Sequence, residues 1–122
     1  GVTATAAKKR EYLRWARQVD GKIIEDDFES EFTLSMKPEE TVFSLDDEGR
    51  VIYLNTFSRT IAPAIRVGYL VLPQGLLAEF EEKLGFYSCT VPVFEQYVLA
   101  ELISSGNFER HINRVRRIRR KK

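Results

Sequence analysis

Thr56, Ser58, Arg59, Thr60 and Arg66 bring three hydroxyls and two guanidinium groups into one short stretch. The stretch lies where two apolar runs approach one another, Val51–Leu54 and Ile65–Leu72, with Arg66 at the start of the second. Hydroxyls donate single hydrogen bonds, and a guanidinium adds a permanent charge with paired N–H donors. Together they suit an oxyanion, and phosphate best of all. Upstream, Asp26 and Asp27 follow another apolar pair, Ile23-Ile24. In open α/β sheets, ligands sit beyond the carboxyl ends of the parallel strands. A carboxylate from one strand end and a hydroxyl–arginine cluster from the next would grip a ligand that is cationic at one end and phosphorylated at the other. The plainer alternative is a solvated polar turn beside an acidic strand end that caps nearby backbone. Cys89 has no histidine close in sequence and reads as a small core or interface residue. His111 sits on a polar helix face and reads as a surface or capping residue. No metal set emerges.

The elements that position these residues follow from pattern. Thr5 caps a helix to about Asp20, with Gly21 as its stop. Tyr12, Leu13, Ala16 and Val19 share a face at helical spacing. Ile23-Ile24 opens a short buried strand with an acidic end. Residues 29–50 lack periodicity, and Pro38 with Asp46-Asp47-Glu48-Gly49 marks a surface loop. Val51–Leu54 is apolar at consecutive positions, which predicts a strand buried on both faces. The link to Ile65 is too short for a crossover helix, so Ile65–Leu72 should run antiparallel to Val51–Leu54. The first two strands, with their longer connection, can be parallel.

Three helices should follow Pro73. Leu76, Leu77, Phe80 and Leu84 form an apolar stripe ended by Gly85. Thr90 and Pro92 start the next, to about Ser104, with Val93, Phe94, Tyr97, Val98 and Leu102 buried and Gly106 as stop. Asn107 caps the third, which carries Phe108, Ile112, Val115 and Ile118 on one face. The fold class is therefore α/β, with three strands, one helix before them and three after. A sheet this thin leaves open edges, which favours a piece of a wider sheet or pairing with another chain.

The totals agree. The chain of 122 residues holds 43% hydrophobic and 30% charged residues, with a net charge of +1. That balance excludes disorder and a global field for nucleic acid or membrane. One cysteine excludes an internal disulfide and suits a reducing cytoplasm. No apolar run reaches the roughly 18 residues of a membrane helix. The end from Arg110 to Lys122 carries six Arg and two Lys without an acid. Its apolar spacing reads as an amphipathic helix with a solvated cationic face, and a nucleic-acid contact is the weaker reading.

The order of motifs is similar to the aminotransferase-like domain of MocR-type regulators. These belong to the GntR superfamily and join a winged helix-turn-helix to a fold-type I pyridoxal-phosphate (PLP) domain. The resemblance is carried by Asp26-Asp-Phe-Glu-Ser-Glu-Phe32, by Tyr53 through Pro73, and by Gly106-Asn-Phe-Glu-Arg-His-Ile-Asn-Arg-Val-Arg116. It spans the chain from Gly1 to about Arg117. Free-standing aminotransferases of the aminoadipate type share much of the pattern and form the alternative.

The resemblance implies a role for each matching position. Asp26 corresponds to the carboxylate that pairs with the pyridinium nitrogen. Phe28 stands where a tyrosine hydroxyl bonds the cofactor's phenolic oxygen, a bond phenylalanine cannot make. Thr56 and Ser58 fall where the family places hydroxyls near the phosphate, and Arg66 matches the phosphate-binding arginine. Arg59 stands at the Schiff-base lysine. A guanidinium stays protonated and cannot act as the attacking amine. The resemblance thus implies a PLP- or effector-binding and dimerising portion of a cytoplasmic regulator, inactive by itself. It implies a central fragment in two parts, 1–73 with the cofactor turn and 74–122 leading to a small domain. It also implies PLP in the intact parent with none bound by this fragment alone, a homodimer, an amino-acid-like effector, and DNA bound through a winged helix elsewhere.

Overall fold

The computed structural model describes residues 4–27, 40–58, 61 and 65–119. Eight elements run in order among the described residues: α1 (Ala6–Gln18), β1 (Ile23–Asp26), α2 (Val42–Leu45), β2 (Val51–Thr56), β3 (Gly68–Val71), α3 (Gln74–Leu84), α4 (Val93–Ser104) and α5 (Asn107–Arg119). The sheet order is β1-β2-β3. β1 and β2 are parallel, with Ile23 opposite Val51 and Asp26 opposite Leu54. β2 and β3 are antiparallel, with Tyr53 opposite Val71 and Thr56 opposite Gly68. The directions argued from loop length are therefore the observed ones. β2 runs two residues further than its apolar core, because Thr56 still pairs across the sheet. β3 is shorter than its apolar run.

The Thr5 hydroxyl caps α1 by accepting the Lys8 N–H. Its stop differs from expectation. Asp20, not Gly21, takes the left-handed conformation (φ 49°), and Gly21 N–H closes on Ala16 O at 2.8 Å. The irregular stretch before β2 contains α2, a single helical turn too short to leave a periodic signal. It is held from both sides: Thr41 accepts the Ser44 N–H, and the Glu25 carboxylate accepts the Val42 and Phe43 N–H groups, each at 2.8 Å. Asp46 then accepts from Glu48, Arg50 and Val51 N–H, folding the turn whose Gly49 has φ 67°. Arg50 pairs with Asp20 and Glu48, and Arg17 also pairs with Glu48, tying this turn to the end of α1.

Alternation divides the sheet. Val51, Tyr53, Asn55 and Phe57 face one side, joined by Tyr69 and Val67 from the returning chain. This side carries a run of rings. Phe43 lies 5.7 Å from Tyr53, Tyr53 6.2 Å from Tyr69, and Tyr69 4.9 Å from Phe57; Phe108 of α5 meets Phe57 edge-on at 5.9 Å. Phe57, Val67 and Leu99 are buried together here, with Ile61, Ile65, Val91 and Phe108 packed around them. The other side is open. Ile52 and Leu54 are only half-buried and Ile24 is 67% exposed, so burial of β2 on both faces does not hold within this chain.

The helical half is corrected more sharply. In α4, Leu99 is the buried residue, whereas Val93, Phe94, Tyr97 and Val98 are exposed, Phe94 by 78%. Consecutive apolar residues gave no unique inward stripe, and Leu99 is the one that joins Phe57 and Val67 in the core. α3 buries no residue although its stripe forms as expected. In α5, Ile112 is buried and Phe108 joins the core, while Ile118 is exposed. Asn107 begins this helix rather than capping it. Its amide bonds Ser105 Oγ and its carbonyl oxygen accepts from Arg110, after Gly106 turns with φ 70°.

Candidate functional site

The carboxyl ends of β1 and β2 coincide because the strands are parallel and in register. β3 returns from the same edge. Asp26 ends β1, Thr56 ends β2, and Arg66 lies just before β3. Paired residues share a face, so Asp26, opposite Leu54, is on the side that Thr56 also faces. Val67 is buried on the aromatic side, which turns its exposed neighbour Arg66 to the open side. Three of the residues singled out from sequence thus meet at one edge and on one face. Gly68 stands opposite Thr56 and adds no side chain there. Phe28, Arg59 and Thr60 lie outside the described residues.

Neither Asp26 nor Arg66 has a side-chain hydrogen bond or ion pair among the described residues, and both are exposed. A carboxylate and a guanidinium are thereby presented, uncommitted, to the same edge. The hydroxyls are differently placed. Ser58 Oγ donates to Ile65 O at 2.6 Å, and Thr56 Oγ1 lies 3.1 Å from Val67 O. Thr56 Oγ1 also accepts the Ser58 N–H and touches Ser58 Oγ, each at 3.2 Å. Both hydroxyls close the turn across its neck. To donate to an anion they would have to leave these carbonyls, so the guanidinium is the donor ready to meet a phosphate.

A second polar group occupies the aromatic side. Tyr53 OH donates to Asp27 Oδ2 at 2.7 Å and accepts from Asn55 Nδ2 at 2.9 Å. Asn55 is buried, and its Oδ1 accepts the Thr56 N–H at 2.7 Å. Burial first, then the Asp27 carboxylate, holds the Tyr53 phenol well above its ordinary pKa, so it remains a donor. Sequence reading passed over Tyr53 and Asn55. Their two-residue spacing was the available signal, but their facing Asp27 depends on strand register.

No family model matches the chain. Individual proteins do. The uncharacterized HTH-type transcriptional regulator YdeL of Bacillus subtilis is 38% identical over all 122 residues, which span 26% of that protein. The probable rhizopine catabolism regulatory protein MocR of Rhizobium meliloti is 36% identical over 106 residues, 87% of this chain and 22% of its own length. Among solved structures, the kynurenine aminotransferase of Pyrococcus horikoshii superposes with a TM-score of 0.84 at 37% identity. That match covers 96% of this chain and 29% of the enzyme.

Over almost its whole length the chain is similar to MocR-type regulators and to a fold-type I aminotransferase. It spans about a quarter of the length of the curated relatives it matches. Its fold is the one seen in the fold-type I aminotransferases, and PLP is the cofactor that those neighbours imply. No helix among the described residues is long and apolar enough to cross a membrane.

Proposed function

We propose that this chain is the ligand-holding portion of a MocR-like regulator, and that the full-length protein uses it to bind PLP or a related phosphate without a covalent bond. The observation that carries the reading is the pairing of a free carboxylate and a free guanidinium at one edge, with arginine at the lysine position. The donor set fits the two charged ends of the cofactor. Asp26 would hold a proton on the pyridine nitrogen, and Arg66 would take two phosphate oxygens. Thr56 and Ser58 would add hydroxyl bonds once released from Val67 and Ile65. Arg59 would add charge but, always protonated, offers no amine. PLP, when bound, supplies an electron sink for amino-acid chemistry. Phe28 and Arg59 remove the hydroxyl and the amine on which that chemistry draws.

The reading extends to the full-length protein. It would sense an amino-acid-like effector in the cytoplasm, pair as a homodimer, and contact DNA through a helix-turn-helix of the kind named in its relatives. The aminotransferase reading is favoured by the closeness of the fold to the kynurenine aminotransferase, whose structure was determined with PMP and kynurenine. One experiment separates them. The full-length protein is mixed with PLP, reduced with borohydride and analysed by mass spectrometry. PLP should bind reversibly with no mass added at residue 59, and Arg59→Lys should gain the covalent adduct. A covalent adduct on any lysine of the native protein, with amino-acid turnover, would establish the enzyme reading instead.

A further inference from the structure

Asp26 is the last residue of β1, exposed, and its side chain is not held among the described residues. Its place is set by what fixes Asp27. Two bonds do so across to β2: Asp27 N–H donates to Leu54 O at 3.0 Å, and Tyr53 OH donates to Asp27 Oδ2 at 2.7 Å. The phenol is itself fixed by Asn55, whose other end accepts the Thr56 N–H. A continuous polar chain thus runs Asp27–Tyr53–Asn55–Thr56 along the aromatic side of the sheet. It joins the strand end bearing Asp26 to the turn bearing Thr56, without touching the face on which a ligand would lie.

We propose that Tyr53 is a positioning residue for Asp26, acting through Asp27 to set that carboxylate against the cationic ring of a ligand whose phosphate lies at Thr56 and Arg66. The inference rests on the proposed ligand and deepens it. Tyr53 also packs between Phe43 and Tyr69. Phenylalanine keeps those ring contacts and removes the hydroxyl, so it separates packing from positioning.

The test uses the full-length protein and two probes. PLP reads both ends of the site, and inorganic phosphate reads the Thr56–Arg66 end. Tyr53→Phe should weaken PLP binding about 3- to 10-fold, the range for losing one ordinary hydrogen bond, and leave phosphate binding within about twofold. In an Asp26→Asn background Tyr53→Phe should cost nothing further, since the carboxylate it positions is gone. Amide exchange at Asp27, followed without ligand, should accelerate in Tyr53→Phe. Equal losses for both probes would make Tyr53 a structural residue and overturn the inference. Unchanged PLP affinity in Tyr53→Phe, with the parent binding PLP, would overturn it while leaving the proposed function standing. A parent that binds neither probe would overturn both.

Discussion

At the scale of the residue, the site is a contrast between side chains already engaged and side chains held out. Thr56 and Ser58 spend their protons on Val67 and Ile65 carbonyls, whereas Arg66 and Asp26 are uncommitted among the described residues. Phosphate affinity should therefore depend more on Arg66 than on either hydroxyl. Arg66→Ala should weaken phosphate and PLP binding by the full-length protein about 10- to 100-fold by calorimetric titration, the loss of a paired, charge-assisted contact. Ser58→Ala should cost less than Arg66→Ala. An Arg66→Ala protein that binds both ligands at parental affinity would remove the guanidinium from the site. Asp26, Thr56, Ser58 and Arg66 were legible as candidates because strand ends collect ligand groups, a rule that needs only the order of strands. Tyr53 was not. Its partner is 26 positions away, and which side chains meet across a parallel pair depends on register.

At the scale of the element, the least expected piece is α2. Four residues cannot show a period, and an isolated turn this short does not persist unaided. Glu25, from the strand, supplies the anchor by receiving two N–H groups at the helix start. An anion at that end also meets the positive pole of the turn. Glu25→Ala should lower stability by about 1–3 kcal/mol, the cost of leaving two donors unmet, seen as a lower urea midpoint with an unchanged slope. Amide exchange at Val42 and Phe43 should rise in the same variant. Protection at those two amides equal to the parent's would show that α2 stands without the carboxylate. The strands, by contrast, were readable in place and direction. Their apolar cores were distinct, and a connection from Leu54 to Ile65 leaves no room for a parallel crossover.

At the scale of the whole molecule, large apolar side chains among the described residues lie outside in greater number than inside. Phe86, Tyr87, Phe94 and Tyr97 are each more than two-thirds exposed, and α3 buries nothing. Apolar surface of that extent marks faces that bind other protein. The isolated 122-residue chain should sediment as species larger than a monomer and bind a dye that reports apolar surface. A strictly monomeric profile across micromolar concentrations, with no dye binding, would contradict this. The amino-acid sequence by itself determined the strand order in the chain, the presence of the longer helices, and the placing of Asp26, Thr56 and Arg66 at strand ends. These rest on local pattern and on the chemistry of single residues. The tertiary structure decided which apolar residues go inside, that the two hydroxyls close the turn on its own carbonyls, and that Tyr53 stands between Asp27 and Asn55. Those depend on register and on the faces presented by neighbouring elements, which no local window of sequence contains.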